Sequence, residues 1–204
     1  AMLIPLFVLL GVWGGSRRGP ATLKFVIYTM FGSLLMLVAI VALGLDKGTF
    51  DLSELGTSGS LVMFLAFALA FSIKAPIWPF HGWLPDAYRQ APPEVAAILS
   101  GTMSKTAAYG LFFIAIPHFP GPVADVRDVI LAPAAIGLVY GSLLAFRQPD
   151  FRGVVAYSSL AQLCLIVIGL ISVTDSGLNG GLLQMATHGL VSAGLVLLAG
   201  YVER

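Results

Sequence analysis

The sequence predicts an all-α fold, a polytopic bundle of transmembrane helices with one proline-broken helix among them. Three observations predict it. Of 204 residues, 58% are apolar and only 10% charged, whereas a soluble domain carries charge on roughly a quarter of its positions. Mean hydropathy is +0.93, and uncharged runs approach or pass the ~18 residues that mark a membrane crossing. Period-2 alternation, which a membrane barrel requires, is absent.

The elements follow in order. Met2 to Trp13 is apolar but too short to cross, so it reads as a truncated helix over 1–14. The stretch 22–45 carries one charge, Lys24, at its edge. The next helix is expected over about 61–85, interrupted by prolines, and others over 95–117, 129–146, 154–173 and 178–202. At 1.5 Å per residue, about 20 apolar residues span a ~30 Å hydrocarbon core. Residues 1–204 are therefore expected to form a single transmembrane domain of six crossings and a remnant. The opening Ala-Met-Leu-Ile-Pro reads as mid-helix, so the chain is expected to be a fragment. Arg17 and Arg18 follow the first apolar run, the reverse of a secretory signal.

Charge sets the orientation. Alternate loops place Arg17, Arg18, Lys24, Arg89, Arg147, Arg152 and Arg204 on one side, and only Lys47 and Arg127 on the other. The positive-inside rule puts the richer side in the cytoplasm. A net charge of +1 gives no field for nucleic acid, so no such partner is expected. The single cysteine, Cys164, and three scattered histidines form no metal-ligand pattern. No cofactor is expected in this chain, and lipid is the expected surroundings.

Two basic residues belong to neither side. Lys74 closes an uncharged run and Lys105 lies near the middle of its span. An ionised lysine there costs about 2.5–3.5 kcal/mol on insertion scales. Intramembrane charge usually serves function, but Lys74 could snorkel from a helix end and Lys105 could pair with an unseen acid. The stretch Lys74-Ala-Pro76-Ile-Trp78-Pro79-Phe-His81-Gly82-Trp83-Leu84-Pro85 predicts a broken helix. Pro76 and Pro79 cannot donate to the carbonyls of Ser72 and Ala75, which must find partners in protein or a wet cavity. An interfacial turn anchored by Trp78 and Trp83 is the competing reading. His188 also lies near the centre of its span. It could simply bond a neighbouring helix; beside two mid-membrane lysines, a proton relay is the better account. Gly137 and Gly141 have the spacing of close helix packing.

At these residues the sequence resembles the antiporter-like membrane subunits of respiratory complex I (NADH:quinone oxidoreductase), chain M type. The motifs that carry the resemblance are Met2-Leu-Ile-Pro-Leu-Phe, Gly11-Val-Trp-Gly14, Lys24-Phe-Val-Ile-Tyr, Ile73-Lys-Ala-Pro and Pro79-Phe-His-Gly-Trp-Leu-Pro-Asp86. Gln90-Ala-Pro92, Ser104-Lys-Thr-Ala-Ala-Tyr-Gly110 and Ala186-Thr-His-Gly-Leu190 continue it in family order. Related cation/proton antiporter and membrane-hydrogenase subunits share much of this. The resemblance implies an inverted-repeat antiporter-like fold in which Lys74, Lys105 and His188 match protonatable residues of a polar axis. It also implies that the family's glutamate partner of the broken-helix lysine would precede Ala1, and that a second broken helix would follow Arg204. Gln162 stands where many relatives carry histidine; it can hydrogen-bond but does not carry a proton near neutral pH.

The expected function is proton translocation driven by redox chemistry in other membrane-arm subunits, with Lys74 taking up a proton, Lys105 relaying it and His188 passing it on. Moving an acid toward or away from a buried lysine would switch it between holding and releasing its proton. A sodium/proton antiporter or membrane-hydrogenase subunit is the nearest alternative, and a passive scaffold the alternative of another class. The expected location is the bacterial cytoplasmic (inner) membrane.

Overall fold

A computed structural model describes residues 3–203. Ala1 and Met2, assigned above to the remnant helix, and Arg204, counted among the cytoplasmic charges, lie outside the described residues. Among the described residues there is no strand.

Helix α1 (Leu3–Trp13) turns through Gly14 and Gly15 into α2 (Arg18–Lys47). The turn is packed against another segment: the Gly15 amide donates to the Gln90 carbonyl at 2.8 Å. A Cβ on Gly14 would lie 2.9 Å from that carbonyl, so the approach requires glycine. Helix α2 stops at Gly48, whose φ of 70° is the left-handed cap that only glycine adopts without cost. Helix α3 (Leu61–Lys74) starts from Ser60, which caps the Met63 amide, and ends at the break. A 3-10 turn at Phe80–Trp83 leads into α4 (Leu84–Gln90).

The next rod, 93–118, is continuous but not uniform. It consists of α5 (Pro93–Ile98), a π turn at Leu99–Met103, α6 (Ser104–Gly110), a second π turn at Leu111–Ala115, and α7 (Ile116–His118). Helices α8 (Pro120–Phe146), α9 (Phe151–Ile171) and α10 (Asp175–Val202) complete the bundle. Asp150 and Thr174 cap α9 and α10 by accepting from the amides of Gly153 and Gly177.

Helix α9 is the hub, packed against α8, α10 and α4. Leu160, Leu163, Cys164, Ile166 and Leu170 on it are enclosed. Lipid is as apolar as leucine, so helix contact in a membrane rests on close van der Waals fit. Gly137 and Gly141 supply that fit between α8 and α9: a Cβ on Gly141 would lie 2.9 Å from the Tyr157 carbonyl. In contrast, α2 and α8 expose apolar faces, among them Ile27, Leu34, Val38, Val139 and Leu143.

Several boundaries differ from expectation. The helix expected over 129–146 starts at Pro120, because Pro120 and Pro122 occupy its first turn, where the missing amide breaks no helical bond. Likewise the 22–45 helix begins at Arg18, with Pro20 in its first turn, and runs to Lys47. The 95–117 helix starts at Pro93 and contains the two π turns. The 154–173 and 178–202 helices run over Phe151–Ile171 and Asp175–Val202, starting directly after their caps. The 61–85 segment is not one helix, for the reason given below. Among the described residues four helices, α2, α8, α9 and α10, are individually long and apolar enough to cross a membrane.

Hydrogen bonds gather the basic residues at one end. Lys24 pairs with Asp86, Arg89 with Asp150 at 2.8 Å, and Arg152 with Glu203 at 2.6 Å. The Arg17 amide donates to Gln90 Oε1 at 2.9 Å. The Arg89 guanidinium holds the Asp150 carboxyl below the usual carboxylate range, and the Gly153 amide adds to it. At the other end Lys47 donates to the Thr57 carbonyl at 2.7 Å, and His118 Nδ1 lies 2.6 Å from the Gly56 carbonyl.

Candidate functional site

Two carbonyls at the break after α3 are bonded within the protein. The Ser72 carbonyl, which Pro76 cannot serve, accepts from the Ile77 amide at 2.9 Å. The Ile73 carbonyl accepts from the Trp83 indole Nε1 at 3.0 Å. Trp83 is 0% exposed. It closes the break from inside, and the reading of Trp83 as an interfacial anchor does not hold. Pro76 is buried, whereas Pro79, reached through a cis Trp78–Pro79 bond, is exposed.

Lys74, the last residue of α3, is half-buried, and no hydrogen bond or ion pair of its ammonium occurs among the described residues. Between the break and α6 lies a small cavity of about 10 Å³, lined by Phe71, Ser72, Ala75, Ala107, Ala108 and Leu111. Its one side-chain polar group is Ser72. The rest of the lining is apolar, and neither lysine belongs to it.

Lys105 is held differently. It is 7% exposed. Its ammonium donates to the Ser100 carbonyl, five residues back across the first π turn, and to Ser192 Oγ on α10 at 3.4 Å. Ser192 itself donates to the Ser100 carbonyl at 3.3 Å. Helices come this close because Gly101 faces Gly189: a Cβ on Gly189 would lie 3.0 Å from the Gly101 carbonyl. On its other flank Lys105 borders an open groove of about 630 Å³ lined by small residues such as Ala97, Gly101, Ala186 and Ala193.

His188 is 8% exposed, and its Nδ1 is enclosed with no direct partner. It lines a chamber of about 300 Å³ with Ser159, Gln162, Gln184, Thr187 and Ser192. Gln184 Nε2 donates to Gln162 Oε1 at 2.6 Å, tying α10 to α9 across this chamber. Ser192 thus belongs both to the Lys105 ammonium and to the His188 chamber. The structure brings Lys105 and His188 to one polar region and leaves Lys74 outside it.

Sequence reading missed several members of this region. Ser100, Ser192 and Gln184 look like ordinary helix residues, and only the α6–α10 and α9–α10 contacts make them polar neighbours. Tyr88 is 0% exposed, with its hydroxyl near those of Ser104, Ser159 and Ser100. Among the described residues no group of three or more His, Cys, Asp or Glu side chains could hold a metal ion.

A family model described as "NADH:quinone oxidoreductase/Mrp antiporter, TM" matches residues 1–204. NADH-quinone oxidoreductase subunit M of Rickettsia prowazekii (strain Madrid E) is 38% identical over 207 residues, covering 98% of this chain and 42% of its own length. Among solved structures, respiratory complex I from Thermus thermophilus with bound NADH contains a chain that superposes with a TM-score of 0.92 at 37% identity. That match covers 98% of this chain and 44% of the other. The Mrp complex from Dietzia sp. DQ12-45-1b gives a TM-score of 0.89 at 26% identity, covering 99% and 39%. This chain therefore spans less than half the length of the relatives it matches. With the family model matching over the whole length and apolar helices long enough to cross a bilayer, the chain is a multi-pass membrane protein of the NADH:quinone oxidoreductase/Mrp antiporter transmembrane family.

Proposed function

We propose that this chain translocates protons across the membrane as the antiporter-like part of an NADH:quinone oxidoreductase, through a relay of Lys105, His188 and Lys74. The observation that supports this most is the setting of Lys105: a lysine inside the bundle, bonded to a carbonyl and a hydroxyl, with no carboxylate on it. A structural cation would be cheaper as leucine or methionine, because each ionised lysine costs several kcal/mol in hydrocarbon. The adjoining polar chamber, with an unpartnered His188 Nδ1, gives the proton somewhere to go. Lys74 would feed this pair once an acid or water links it to Lys105. Redox chemistry would belong to other subunits of the complex, and the partners would be its membrane-arm subunits and the lipid of the bacterial cytoplasmic membrane. The two ends of the bundle fit an orientation with the Arg89–Asp150 end in the cytoplasm.

The test is proton pumping by NADH-energised membrane vesicles carrying Lys105→Ala, normalised to assembled complex. Loss of pumping with retained assembly is the expected result. Strict dependence on sodium would move the chain to the cation/proton antiporters of the same family. Parental pumping by both Lys74→Ala and Lys105→Ala would leave a passive scaffold.

A further inference from the structure

Two buried hydroxyls lie outside the relay just described. Tyr88, on the last turn of α4, and Ser159, on α9, are both enclosed, and neither hydroxyl makes a direct hydrogen bond. They stand together: the Tyr88 hydroxyl lies near those of Ser159, Ser104 and Ser100, so α4, α9 and the rod 93–118 all converge there. The Ser100 and Ser104 hydroxyls donate to the Ala97 and Leu99 carbonyls at 3.2 and 3.0 Å, which leaves their lone pairs to accept. An enclosed hydroxyl without a partner is costly, and two such hydroxyls beside two acceptors are what an internal water needs, since such a water makes two to four hydrogen bonds.

The position of the cluster matters more than its composition. On one side the Ser100 carbonyl carries the Lys105 ammonium and Ser192, and Ser159 lines the chamber that holds His188. On the other side the next residue, Arg89, reaches Asp150 and Gln148 in the loop between α8 and α9, at the basic end of the bundle.

We propose that Tyr88, Ser100, Ser104 and Ser159 hold an internal water and form the hydroxyl wire that carries protons from the basic end of the bundle to Lys105 and the His188 chamber. Each oxygen accepts a proton from the surface side and gives up its own to the next, so every hydroxyl is regenerated and none needs to ionise. Tyr88 is then a positioning residue for the wire, and the aromatic ring serves only to place its oxygen. The inference rests on the relay reading of Lys105.

The experiment compares Tyr88→Phe, Ser159→Ala and Lys105→Ala in NADH-energised vesicles holding the intact complex, in H2O and in D2O, with assembly measured for each. Tyr88→Phe removes one oxygen and keeps the packing. It is expected to assemble normally, to pump severalfold more slowly, and to slow further in D2O than the parent does; Ser159→Ala should follow in the same direction by less. Parental pumping by Tyr88→Phe beside a defective Lys105→Ala overturns the wire and leaves the relay standing. Slowing without an increased D2O effect marks a packing defect and also overturns it. Parental pumping by Lys105→Ala removes the relay, and the wire with it.

Discussion

The two lysines set in apolar runs, Lys74 and Lys105, solve the same problem in opposite ways. At Lys74 the helix is severed, the Ser72 and Ile73 carbonyls are bonded by Ile77 and Trp83, and the ammonium is left over. At Lys105 the helix is continuous but widened by a π turn, and the ammonium is bonded by the Ser100 carbonyl and Ser192. The first site gives its local donors to backbone and leaves the charge over; the second satisfies the charge with backbone. A charge without a partner in hydrocarbon is the more expensive condition. Lys74 is therefore the residue whose state responds most to an approaching acid, and Lys105 the one already fixed in place.

Four measurements would break or sharpen this contrast. Lys74→Ala is expected to give the largest loss of coupled pumping, and Lys74→Arg a partial one. Arginine keeps the charge but hardly ever releases its proton. Pumping per assembled complex decides it, and a full rate with Lys74→Ala would reverse the ranking. Lys105→Ala is expected to be damaging but milder, since a water held by Ser100 and Ser192 can bridge the gap; the same assay reads it.

Effects on stability should be local to each lysine. Gly189→Val puts a side chain against the Gly101 carbonyl, 3.0 Å from where a Cβ would stand, and should cost about 1–3 kcal/mol by forcing α10 off the first π turn. Trp83→Phe leaves the buried Ile73 carbonyl unpaired, for about 1–3 kcal/mol at the break alone. Thermal unfolding of the purified complex measures both, and cysteine cross-linking between α6 and α10 should weaken only in Gly189→Val.

The smallest effect is expected at the surface latch. Asp150 titrates below its usual range because of Arg89, so its contribution is present above the unfolded carboxylate pKa of ~3.9 and is lost as pH falls through the lower folded value. Stability should thus be flat from about pH 8 to about pH 5, and Asp150→Asn should cost no more than ~1 kcal/mol because both side chains are partly solvated. A steep fall for Asp150→Asn at neutral pH would show the latch to matter far more.

The break was legible because a proline needs no neighbour to lose its amide: Pro76 and Pro79 announce it in any context. Both lysines were legible for a similar reason, a charge in an apolar run. The start of α8 was not, because Pro120, Pro122 and the charges Asp125, Arg127 and Asp128 read as a loop until their place in the first turns is known. Nor were the π turns. Leu99–Met103 contains no residue that demands one, and the widened turn goes with the contact of Gly101 with Gly189 on a helix far along the chain. Tyr88 was hidden too: in Leu-Pro-Asp-Ala-Tyr-Arg-Gln its hydroxyl looks interfacial, and only the packing of α4 on α9 encloses it.

The first π turn has a consequence for how this site tolerates insertions and deletions. A π turn takes up one residue more than the α turn it replaces. Deleting a single residue from Leu99–Met103 would therefore let the rod close into a regular α-helix while Lys105 kept its face toward Ser192 and α10. What would change is the turn behind it, where the Ser100 carbonyl now accepts from the ammonium. Chain length at this turn sets which carbonyl meets the lysine, and residue identity sets only that a lysine is there.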